Sequence, residues 1–272
     1  MKSSCICIKT SSFKPYIVYK NETVFKDYEG TVIGKCESCG MLKTFPSKKN
    51  KLFNPIITKV EEYEKRKEEF ETLFTPLTEA VEKNVTKGGT VLDVGCSSGI
   101  LLSLLKRKGY RVWGIEPNKQ AFLCAKKTLK NNVSNDTLAT FLKAKKIKFD
   151  CIIYNHVLEH IENINEEFLL IKKALKKDGV LIVGVPNTDN MIFKIRRKFW
   201  ESLLPNEHIW HFNIRYLVQY LQKQKFEIVR VSFEDDARRT YPLLKRIYFT
   251  LLSFLNKIMG SGEAVLIIAQ RI

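Results

Sequence analysis

Residues 91–99, Val-Leu-Asp-Val-Gly-Cys-Ser-Ser-Gly, read as a strand that ends in a glycine turn and leads into a helix. Such a turn lets a ligand approach the backbone closely, and the start of the helix offers backbone N–H groups to its polar end. A second apolar strand follows and ends in the carboxylate Glu116, 21 residues after Gly95. A carboxylate at that point can bind both hydroxyls of a ribose. The two segments together predict a nucleoside-cofactor site.

The glycine spacing excludes two common nucleotide sites. A dinucleotide turn has the pattern G-x-G-x-x-G, whereas Gly95 and Gly99 are separated by three residues and no third glycine follows. The G-x-x-x-x-G-K-[ST] pattern of a phosphate loop does not occur either. Residues 91–99 instead resemble motif I of the class I S-adenosylmethionine (SAM) methyltransferases, in which many members have glycine where Ser97 stands.

The resemblance implies a set of cofactor contacts. Asp93 corresponds to the acidic residue of motif I and Glu116 to the ribose-binding residue, and we expect Asp136 to reach the adenine amino group. Cys96 is expected to contribute its backbone, with an inert thiol, and Tyr63 is either a cover for the methionine end or a core aromatic. The cofactor-binding residues that we predict are Asp93, Gly95, Cys96, Ser97, Gly99, Glu116, Pro117, Asp136 and Asn155.

A second segment, residues 149–160, reads as a buried strand that runs into a short helix and places Asn155 at the strand end, where open α/β sheets bind ligands. Its sequence, Phe-Asp-Cys-Ile-Ile-Tyr-Asn-His-Val-Leu-Glu-His, resembles the FDxxxxxxVLEH motif of the ubiquinone-type and glycan-type SAM methyltransferases. Residues 207–212, Glu-His-Ile-Trp-His-Phe, resemble a later motif of the same subgroup. The resemblance covers roughly residues 90–233. It implies methyl transfer to a small-molecule, sugar or lipid-linked acceptor, at oxygen.

All four histidines of the chain lie in these two segments. Transfer of a methyl group is an in-line displacement, so positioning supplies most of the catalysis. A hydroxyl acceptor also needs a base, and histidine is the side chain best suited to that task near neutral pH. We therefore predict His160 and His211 as catalytic candidates, while each could instead only hold a loop in place. His156 reads as incidental.

Three other functions remain open. His156-Val-Leu-Glu-His160 matches the H-x-x-E-H pattern of a class of zinc peptidases, which predicts a metal at both histidines, although a buried strand directly before His156 leaves little helix to carry the pair. A non-catalytic SAM-binding or scaffold protein would keep the same fold. A nucleic-acid methyltransferase is disfavoured because residues 154–156 are Tyr-Asn-His instead of Asn/Asp-Pro-Pro-Tyr/Phe.

Four cysteines near the N-terminus have metal-ligand spacing. Cys36-Glu-Ser-Cys39 is a C-x-x-C knuckle, and Cys5 and Cys7 form a shorter C-x-C pair. The segment that begins at Cys36 resembles the second half of a zinc-ribbon-like module that many methyltransferases of this subgroup carry. It implies structural zinc at Cys5, Cys7, Cys36 and Cys39, with a metal-free remnant as the alternative.

The chain has 272 residues, of which 44% are hydrophobic, and this is enough for one large core and a small appendage. Its net charge of +17 is spread along the sequence and does not form the patch interleaved with aromatic residues that is typical of a nucleic-acid binder, so nucleic acid is not the partner that we expect. The seven cysteines have no regular disulfide spacing. We expect a cytoplasmic protein without signal peptide or membrane span, located in the cytoplasm or at the inner face of the membrane.

Three regions follow one another along the chain. Residues 1–50 read as a small β-rich, zinc-ribbon-like module, residues 51–88 as a leading helical segment with a helix over 56–84, and residues 89–272 as the SAM-binding domain. In the last region strands and helices alternate, which predicts an α/β fold with a Rossmann-like, mostly parallel sheet of seven strands and helices on both faces. The family resemblance implies that the last strand, near 264–270, is antiparallel to the others.

Two amphipathic insertions interrupt this domain near 189–206 and 237–261. Over 191–204 the helical spacing places Ile192, Ile195, Phe199 and Leu203 on one face, and we expect a substrate lid. Over 243–259 an apolar stripe of Leu244, Tyr248, Leu251, Leu255 and Ile258 is flanked by Arg238, Arg239, Lys245, Arg246 and Lys257. Basic amphipathic helices can lie in a membrane interface, so 243–259 is either a lid or a peripheral membrane contact.

Overall fold

The structure is a computed structural model that describes residues 1–7, 11–20, 23–47, 66–235 and 241–272. Tyr63, the first part of the helix predicted over 56–84, and the two arginines at 238 and 239 lie outside the described residues. The described strands are β1 (Lys2–Ser3), β2 (Ser11–Val18), β3 (Val32–Cys36), β4 (Leu42–Phe45), β5 (Thr90–Val94), β6 (Arg111–Ile115), β7 (Val133–Ser134), β8 (Phe149–Asn155), β9 (Leu175–Pro186), β10 (Trp210–His211), β11 (Phe226–Glu234) and β12 (Ala264–Arg271).

The described helices begin before the first strand of the last predicted region and then alternate with its strands, as the sequence predicts. They are α1 (Lys67–Leu73), α2 (Thr75–Asn84), α3 (Ile100–Arg107), α4 (Lys119–Leu129), α5 (Leu138–Ala144), α6 (Ile164–Ala174), α7 (Met191–Arg196), α8 (Ile214–Lys223) and α9 (Leu243–Ile258). Short 3-10 helices cover Leu158–His160, Arg197–Phe199 and Glu201–Leu203.

The larger sheet has seven strands in the order β11-β12-β9-β8-β5-β6-β7. Neighbours from β9 to β7 pair in parallel, whereas β12 is antiparallel to both β9 and β11. The mostly parallel seven-stranded sheet is therefore confirmed, together with the antiparallel direction of the last strand. Although β12 is the last strand in the sequence, it lies between β9 and β11 in the sheet.

Both faces of this sheet are buried, because successive residues of a strand point to opposite sides. In β8, Cys151 and Ile153 pack with residues of α2, α3 and α4 in one core. Ile152 and Tyr154 pack with residues of α5, α6 and α8 in the other core. Helices on both faces are therefore confirmed.

Local sequence explains where these helices begin. The residue before each of α4, α6, α7 and α8 is an asparagine whose side-chain oxygen accepts a hydrogen bond from a backbone N–H of the first turn. Thr137 does the same for α5. The caps of α4, α5 and α7 lie within four residues of the carboxyl ends of β6, β7 and β9, so they fix where the chain turns from these strands into helices.

A second, antiparallel sheet has the order β1-β2-β3-β4-β10. Its last strand comes from the methyltransferase-like region, because Trp210 pairs with Lys43 and His211 with Leu42. Cys5, Phe13 and Met41 share one hydrophobic core with Trp210 and the larger sheet. The β-rich character predicted for residues 1–50 is present, but the sheet is completed by residues more than 150 positions away.

The shared apolar face predicted over 191–204 is wrong. Helix α7 ends at Arg196, and Arg197 has a φ of 52°, so the helical spacing does not continue. Ile192 and Leu203 are consequently buried with residues of β2, β3 and β4, whereas Ile195 and Phe199 are about half exposed. The stripe predicted over 243–259 lies on α9 and is exposed. Among the helices of the described ranges, none is long and apolar enough to cross a bilayer.

Candidate functional site

A pocket of about 920 Å³ opens at the carboxyl ends of β5, β6 and β8. One wall, which we call the glycine-loop side, is formed by Asp93, Gly95, Cys96, Ser97, Glu116, Pro117 and Asn155. A second wall, which we call the histidine side, is formed by His156, His160, Leu204 and Glu207. Its size suits a ligand such as a nucleoside cofactor together with a small acceptor. Seven of the nine predicted cofactor residues line it.

The loop after β5 needs its glycine at position 95. Gly95 has a φ of +74°, and a Cβ atom there would lie 2.5 Å from Cγ2 of Val157. The N–H groups of Gly95 and Cys96 both donate to the carbonyl of Ile115, at 2.8 and 3.1 Å, and so tie this loop to β6. Ser97 also has a positive φ, of 48°, which explains why glycine suits this position in the resembling family.

Gly99 has a different role from the one predicted. Its φ is +79°, and a Cβ atom would meet Leu129 Cδ1 at 2.7 Å and Ala125 Cβ at 3.2 Å. Both neighbours belong to α4, and Gly99 does not line the pocket. This glycine therefore lets α3 begin close to α4 and shapes the loop without forming part of the pocket wall.

Glu116 lies at the centre of the glycine-loop side. Its two carboxylate oxygens accept hydrogen bonds from the backbone N–H groups of Ser97 and Asn118, each at 2.8 Å. Burial raises the pKa of Glu116, and these two hydrogen bonds oppose the effect. Each carboxylate oxygen has a second lone pair, so the group can also accept from the two hydroxyls of a ribose.

Two further polar groups on this side suit a polar ligand. Burial, together with the nearby charge of Glu116, raises the pKa of Asp93 to about 8. The hydroxyl of Ser97 is buried and has no hydrogen-bond partner among the described residues. A buried hydroxyl left unpaired costs about 1–3 kcal/mol, which a ligand that hydrogen-bonds to it would recover. The residues present therefore fit the polar nucleoside part of SAM.

The remaining cofactor predictions have mixed outcomes. Asn155 lines the pocket at the end of β8, next to Gly184 of β9. Burial raises the pKa of the Cys96 thiol well above its ordinary value, consistent with the inert thiol that we expect. The carboxylate of Asp136 accepts a hydrogen bond from the Ser134 hydroxyl and does not line the pocket. Thr137 and Leu138, the next two residues, line it instead.

On the histidine side, His160 is held by the backbone. Its Nδ1 lies 2.9 Å from the carbonyl oxygen of Glu207, and its ring meets that of His208 edge-on, with centroids 4.8 Å apart. A carbonyl oxygen can only accept, so Nδ1 carries the proton and the lone pair of a neutral ring lies on Nε2. The structure thus brings this predicted catalytic residue to the same pocket as the glycine loop.

His211 is not brought there. It is buried in β10, where its Nε2 lies 2.8 Å from Oγ1 of Thr44, and it does not line the pocket. The Thr44 hydroxyl donates to the carbonyl of His208, so it accepts from His211. Burial lowers the pKa of His211 to about 3 and keeps the ring neutral. The prediction of His211 as a base is corrected: the ring holds β10 against β4 in the antiparallel sheet.

Sequence reasoning missed Glu159. Its carboxylate is completely buried, with Oε1 3.4 Å from His156 Nδ1 and 3.9 Å from His208 Nε2. Burial raises the pKa of Glu159, but the neighbouring imidazoles, His156 above all, more than offset this, so the pKa is lowered. The only signal in the sequence is an acidic residue at a core position between two histidines, and the third histidine is 49 residues away.

The H-x-x-E-H alternative does not have the expected helix. Leu158–His160 is a single 3-10 turn, and His156 precedes it with a φ of 54°. The group whose ligand atoms lie within 4.8 Å of one another consists of Glu159, His160 and His208. A pair of metal ligands at His156 and His160 on one helical face, as a peptidase of this class requires, is therefore not formed.

The four N-terminal cysteines come together. Cys5 Sγ lies 3.7 Å from Cys39 Sγ, Cys7 Sγ lies 3.7 Å from Cys36 Sγ, and all four sulfur atoms are within 4.8 Å of one another. Burial raises the pKa of Cys36, but hydrogen bonds from the Ser11 hydroxyl and from backbone N–H groups outweigh it and lower the pKa to about 6. This set can therefore supply a thiolate to a metal ion.

Comparison with known proteins gives one family match. The sequence profile of the family described as "Methyltransferase domain" matches residues 64–231. The chain is 35% identical over 127 residues to a ubiquinone biosynthesis O-methyltransferase of Glaesserella parasuis, covering 42% of this chain and 54% of that protein. It is 36% identical over 109 residues to a ribosomal protein L11 methyltransferase of Dictyoglomus thermophilum, covering 39% and 35%. The chain thus spans about half, or less, of the length of these curated relatives.

Solved structures with the same fold are more distant in sequence. A SAM-dependent methyltransferase from Archaeoglobus fulgidus superimposes with a TM-score of 0.56 and 19% identity, covering 79% of this chain and all of that one. A SAM-dependent methyltransferase from Listeria monocytogenes gives a TM-score of 0.53 at 18% identity, covering 71% and 97%. At these identities the likeness supports the fold alone.

Proposed function

The chain belongs to the methyltransferase family and is a SAM-dependent methyltransferase, and from this premise we propose that it methylates an oxygen atom of a small-molecule, sugar or lipid-linked acceptor. One observation carries the proposal. The glycine loop, Glu116 and His160 line a single pocket, so a methyl donor and a candidate base face the same space. A hydroxyl acceptor between them would meet both.

The glycine-loop side holds the donor. We assign the ribose hydroxyls to Glu116, and the backbone of residues 95–97 and the Ser97 hydroxyl to the remaining polar contacts. SAM supplies a methyl group activated by its sulfonium. The protein contributes orientation, because an in-line displacement is accelerated mainly by fixing the nucleophile and the methyl group on one line.

His160 acts on the acceptor. The carbonyl of Glu207 fixes the ring through Nδ1, and Nε2 is then the nitrogen that takes the hydroxyl proton. Glu159 lies buried behind it, with a lowered pKa that keeps the carboxylate negative. This carboxylate forms one cluster with His160 and His208, whose ligand atoms all lie within 4.8 Å of one another.

The names of the relatives support this assignment at a coarse level. The ubiquinone biosynthesis O-methyltransferases are 33% to 35% identical over 101 to 127 residues, and their name specifies transfer to oxygen. The ribosomal protein L11 methyltransferase is equally similar over a comparable length, and its name specifies a protein acceptor. Similarity at this level is thus compatible with different acceptors, so the proposal of transfer to oxygen depends on His160 and the pocket.

A substitution at His160 tests the proposal. We expect His160→Ala to leave the calorimetric affinity for SAM and its demethylated product within about twofold, because the glycine-loop side is untouched. Turnover with a panel of phenolic, sugar and polyprenyl-linked hydroxyl acceptors and ¹³C-methyl SAM should fall by about 10²–10⁴-fold. NMR of the product should show an O-methyl carbon. An unchanged rate or an N-methyl product would reject O-methylation by His160, and SAM binding without transfer to any acceptor would favour a non-catalytic protein.

We further propose that Cys5, Cys7, Cys36 and Cys39 hold a structural zinc ion. Zinc–sulfur bonds of about 2.3 Å in a tetrahedron put neighbouring sulfur atoms about 3.8 Å apart. The two closest pairs here are 3.7 Å apart, although Cys5 and Cys7 are one residue closer in sequence than a standard knuckle. The ion would link the segment after β1 to the end of β3 and the turn that follows it, and no catalytic step involves it.

Zinc content decides this second proposal. Protein purified without chelator should contain about one zinc per chain by elemental analysis, and Cys36→Ser should lose it and unfold at a lower temperature. Cys124→Ser is the matched control, because Cys124 is only partly buried on α4, away from the cluster. A metal-free wild-type protein with four titratable thiols in the module would contradict the zinc proposal.

A further inference from the structure

Helix α9 exposes an unusually apolar face. It has sixteen residues, and Leu244, Ile247, Leu251, Phe254 and Ile258 recur at alternating intervals of three and four. Each of these side chains is between 49% and 83% exposed. Single exposed apolar residues are ordinary, but a continuous apolar stripe on one helix indicates a surface that binds another protein or a membrane.

The opposite face of α9 fixes the helix in place. Phe249, Leu252 and Asn256 are buried, and the Asn256 side chain accepts from the N–H of Met191 at 2.7 Å and donates to Asp235 at 3.0 Å. The guanidinium of Arg196 stacks over the Phe249 ring at 5.1 Å. The outward direction of the apolar stripe is therefore set by specific contacts with the rest of the fold.

The segment beside α9 has the same character. Ile195 and Phe199, which follow from the broken helix α7, are 51% and 49% exposed. Residues 191–199 and 241–262 contain seven basic residues and no acidic one: Lys194, Arg196, Arg197, Lys198, Lys245, Arg246 and Lys257. Asp189 and Glu201 pair with two of them, so the surface keeps a strong positive charge. We call α9 and residues 191–199 together the basic apolar surface.

This surface adjoins the pocket. Helix α9 lies in the connection between β11 and β12, and the last residue of β11, Glu234, and the first of β12, Ala264, both line the pocket. Leu204, a few residues after 191–199, lines it as well. The connection that carries α9 therefore begins and ends at the pocket, and the chain returns to the pocket soon after residues 191–199.

We propose that the basic apolar surface docks on an anionic lipid bilayer, with α9 lying in the interface, so that the pocket receives a lipid-linked acceptor. An apolar stripe with lysine and arginine at its edges matches the acyl boundary and the negative headgroups at once. The spacing of the stripe also suits a second copy of this chain, but that pairing would bring the positive charges of two copies together. The inference of a lipid-linked acceptor depends on the proposed methyl transfer, whereas the inference of bilayer docking does not.

Vesicle co-sedimentation tests the docking with the full chain. We expect binding to mixed vesicles of phosphatidylglycerol and phosphatidylcholine. Binding should be about tenfold weaker to phosphatidylcholine alone, and it should fall about tenfold when the salt concentration rises from about 50 to about 500 mM. Leu251→Glu should reduce binding about tenfold or more. Leu169→Glu is the matched control: Leu169, on α6, is 62% exposed against 59% for Leu251, and its substitution should change nothing.

Other readouts separate docking from its alternatives. With Phe254→Trp, whose emission should shift to the blue when anionic vesicles are added, a silent spectrum would contradict insertion of α9. Dimerisation in the absence of lipid that Leu251→Glu abolishes, with no vesicle binding by the parent, would replace the bilayer by a second copy. Calorimetric SAM binding should be equal in Leu251→Glu and the parent, so a failure of docking and a failure of the methyltransferase proposal are distinguishable.

Discussion

The glycine-loop side and the histidine side of the pocket are built in different ways. The first consists of residues at the ends of β5, β6 and β8, three adjacent parallel strands whose carboxyl ends meet at one edge of the sheet. The second consists of loops, and its shape depends on Ile209. The N–H of Ile209 donates to the backbone carbonyl of Glu159, and its carbonyl accepts from the backbone N–H of Thr44 in the antiparallel sheet. One wall is thus set by a single sheet, and the other by contacts between two sheets.

This difference separates binding from chemistry. A wall made of strand ends is rigid and presents its backbone in a fixed way, which suits a donor that is the same in every turnover. A wall made of loops can change length and sequence while the sheet stays intact, which suits the acceptor. Substitutions on the two sides should therefore have different consequences for donor affinity, turnover and stability.

The largest effect should come from the glycine loop itself. Gly95→Arg combines an unfavourable φ with a clash against Val157 and a side chain that fills the pocket, so we expect no calorimetric SAM binding. Gly88→Arg is the matched control, because Gly88 also has a positive φ but nothing lies within 4 Å of its added Cβ. If Gly95→Arg retained SAM affinity, the glycine-loop side would not be the donor wall.

Next in size are opposite responses to pH from Asp93, on the glycine-loop side, and from His208 and His211, two buried histidines that do not line the pocket. The pKa of Asp93, on the glycine-loop side, is raised to about 8, so the folded state holds a proton that the unfolded state releases near pH 4. Stability should fall between pH 4 and 8, by up to about 1.4 kcal/mol per pH unit. In Asp93→Asn this slope should be flatter in urea unfolding of the ligand-free protein; an unchanged slope would show that Asp93 is not protonated there.

Two buried histidines outside the pocket lining should respond in the other direction. Burial lowers the pKa of His208 to about 4 and that of His211 to about 3, so below pH 6.5 the unfolded state binds protons that the folded state does not. Stability should therefore be lost as pH falls from about 6.5 towards 4, by up to about 1.4 kcal/mol per pH unit for each ring. His211→Asn should lower stability at pH 7.5 and reduce the further loss at pH 5. If His211 were catalytic, His211→Asn would instead abolish turnover while the protein stayed folded.

The smallest expected effect concerns the ribose contact. Glu116→Gln keeps the shape of the side chain but removes its charge, so SAM affinity should fall by about tenfold, or ~1.4 kcal/mol, while turnover at saturating SAM changes little. Glu82→Gln, on the exposed face of α2 where Glu82 pairs with Lys108, should have no effect. A loss of turnover without loss of affinity would move Glu116 from donor binding to catalysis.

The same contrast explains what the sequence could predict. Residues at strand ends are visible because apolar runs, glycines and a closing carboxylate are local features, and seven of the predicted cofactor residues line the pocket. Gly99 could not be placed, because its neighbours on α4 are more than twenty residues away. Glu159 could not be found, since its partner His208 is brought to it only by tertiary folding.

Two errors have equally physical causes. His211 seemed free to act because a two-residue strand that pairs with β4 has no signature in its own sequence. The face predicted for 191–204 assumed an unbroken helix, and the positive φ at Arg197 divides it. In both cases a local pattern was overridden by contacts with the N-terminal sheet, whose reach into the larger domain was not visible.

Strand β10 also bears on where the protein can be cut. The family profile begins at residue 64, which suggests a separable catalytic unit. Yet Trp210 and His211 complete the N-terminal sheet, and Trp210 shares its core with Cys5 and Met41. A fragment that begins at residue 66 would leave an open strand edge and an uncovered tryptophan beside the histidine side. The unit that sequence similarity delimits is therefore smaller than the unit that folds. A protein expressed from residue 66 onward would be prone to aggregation.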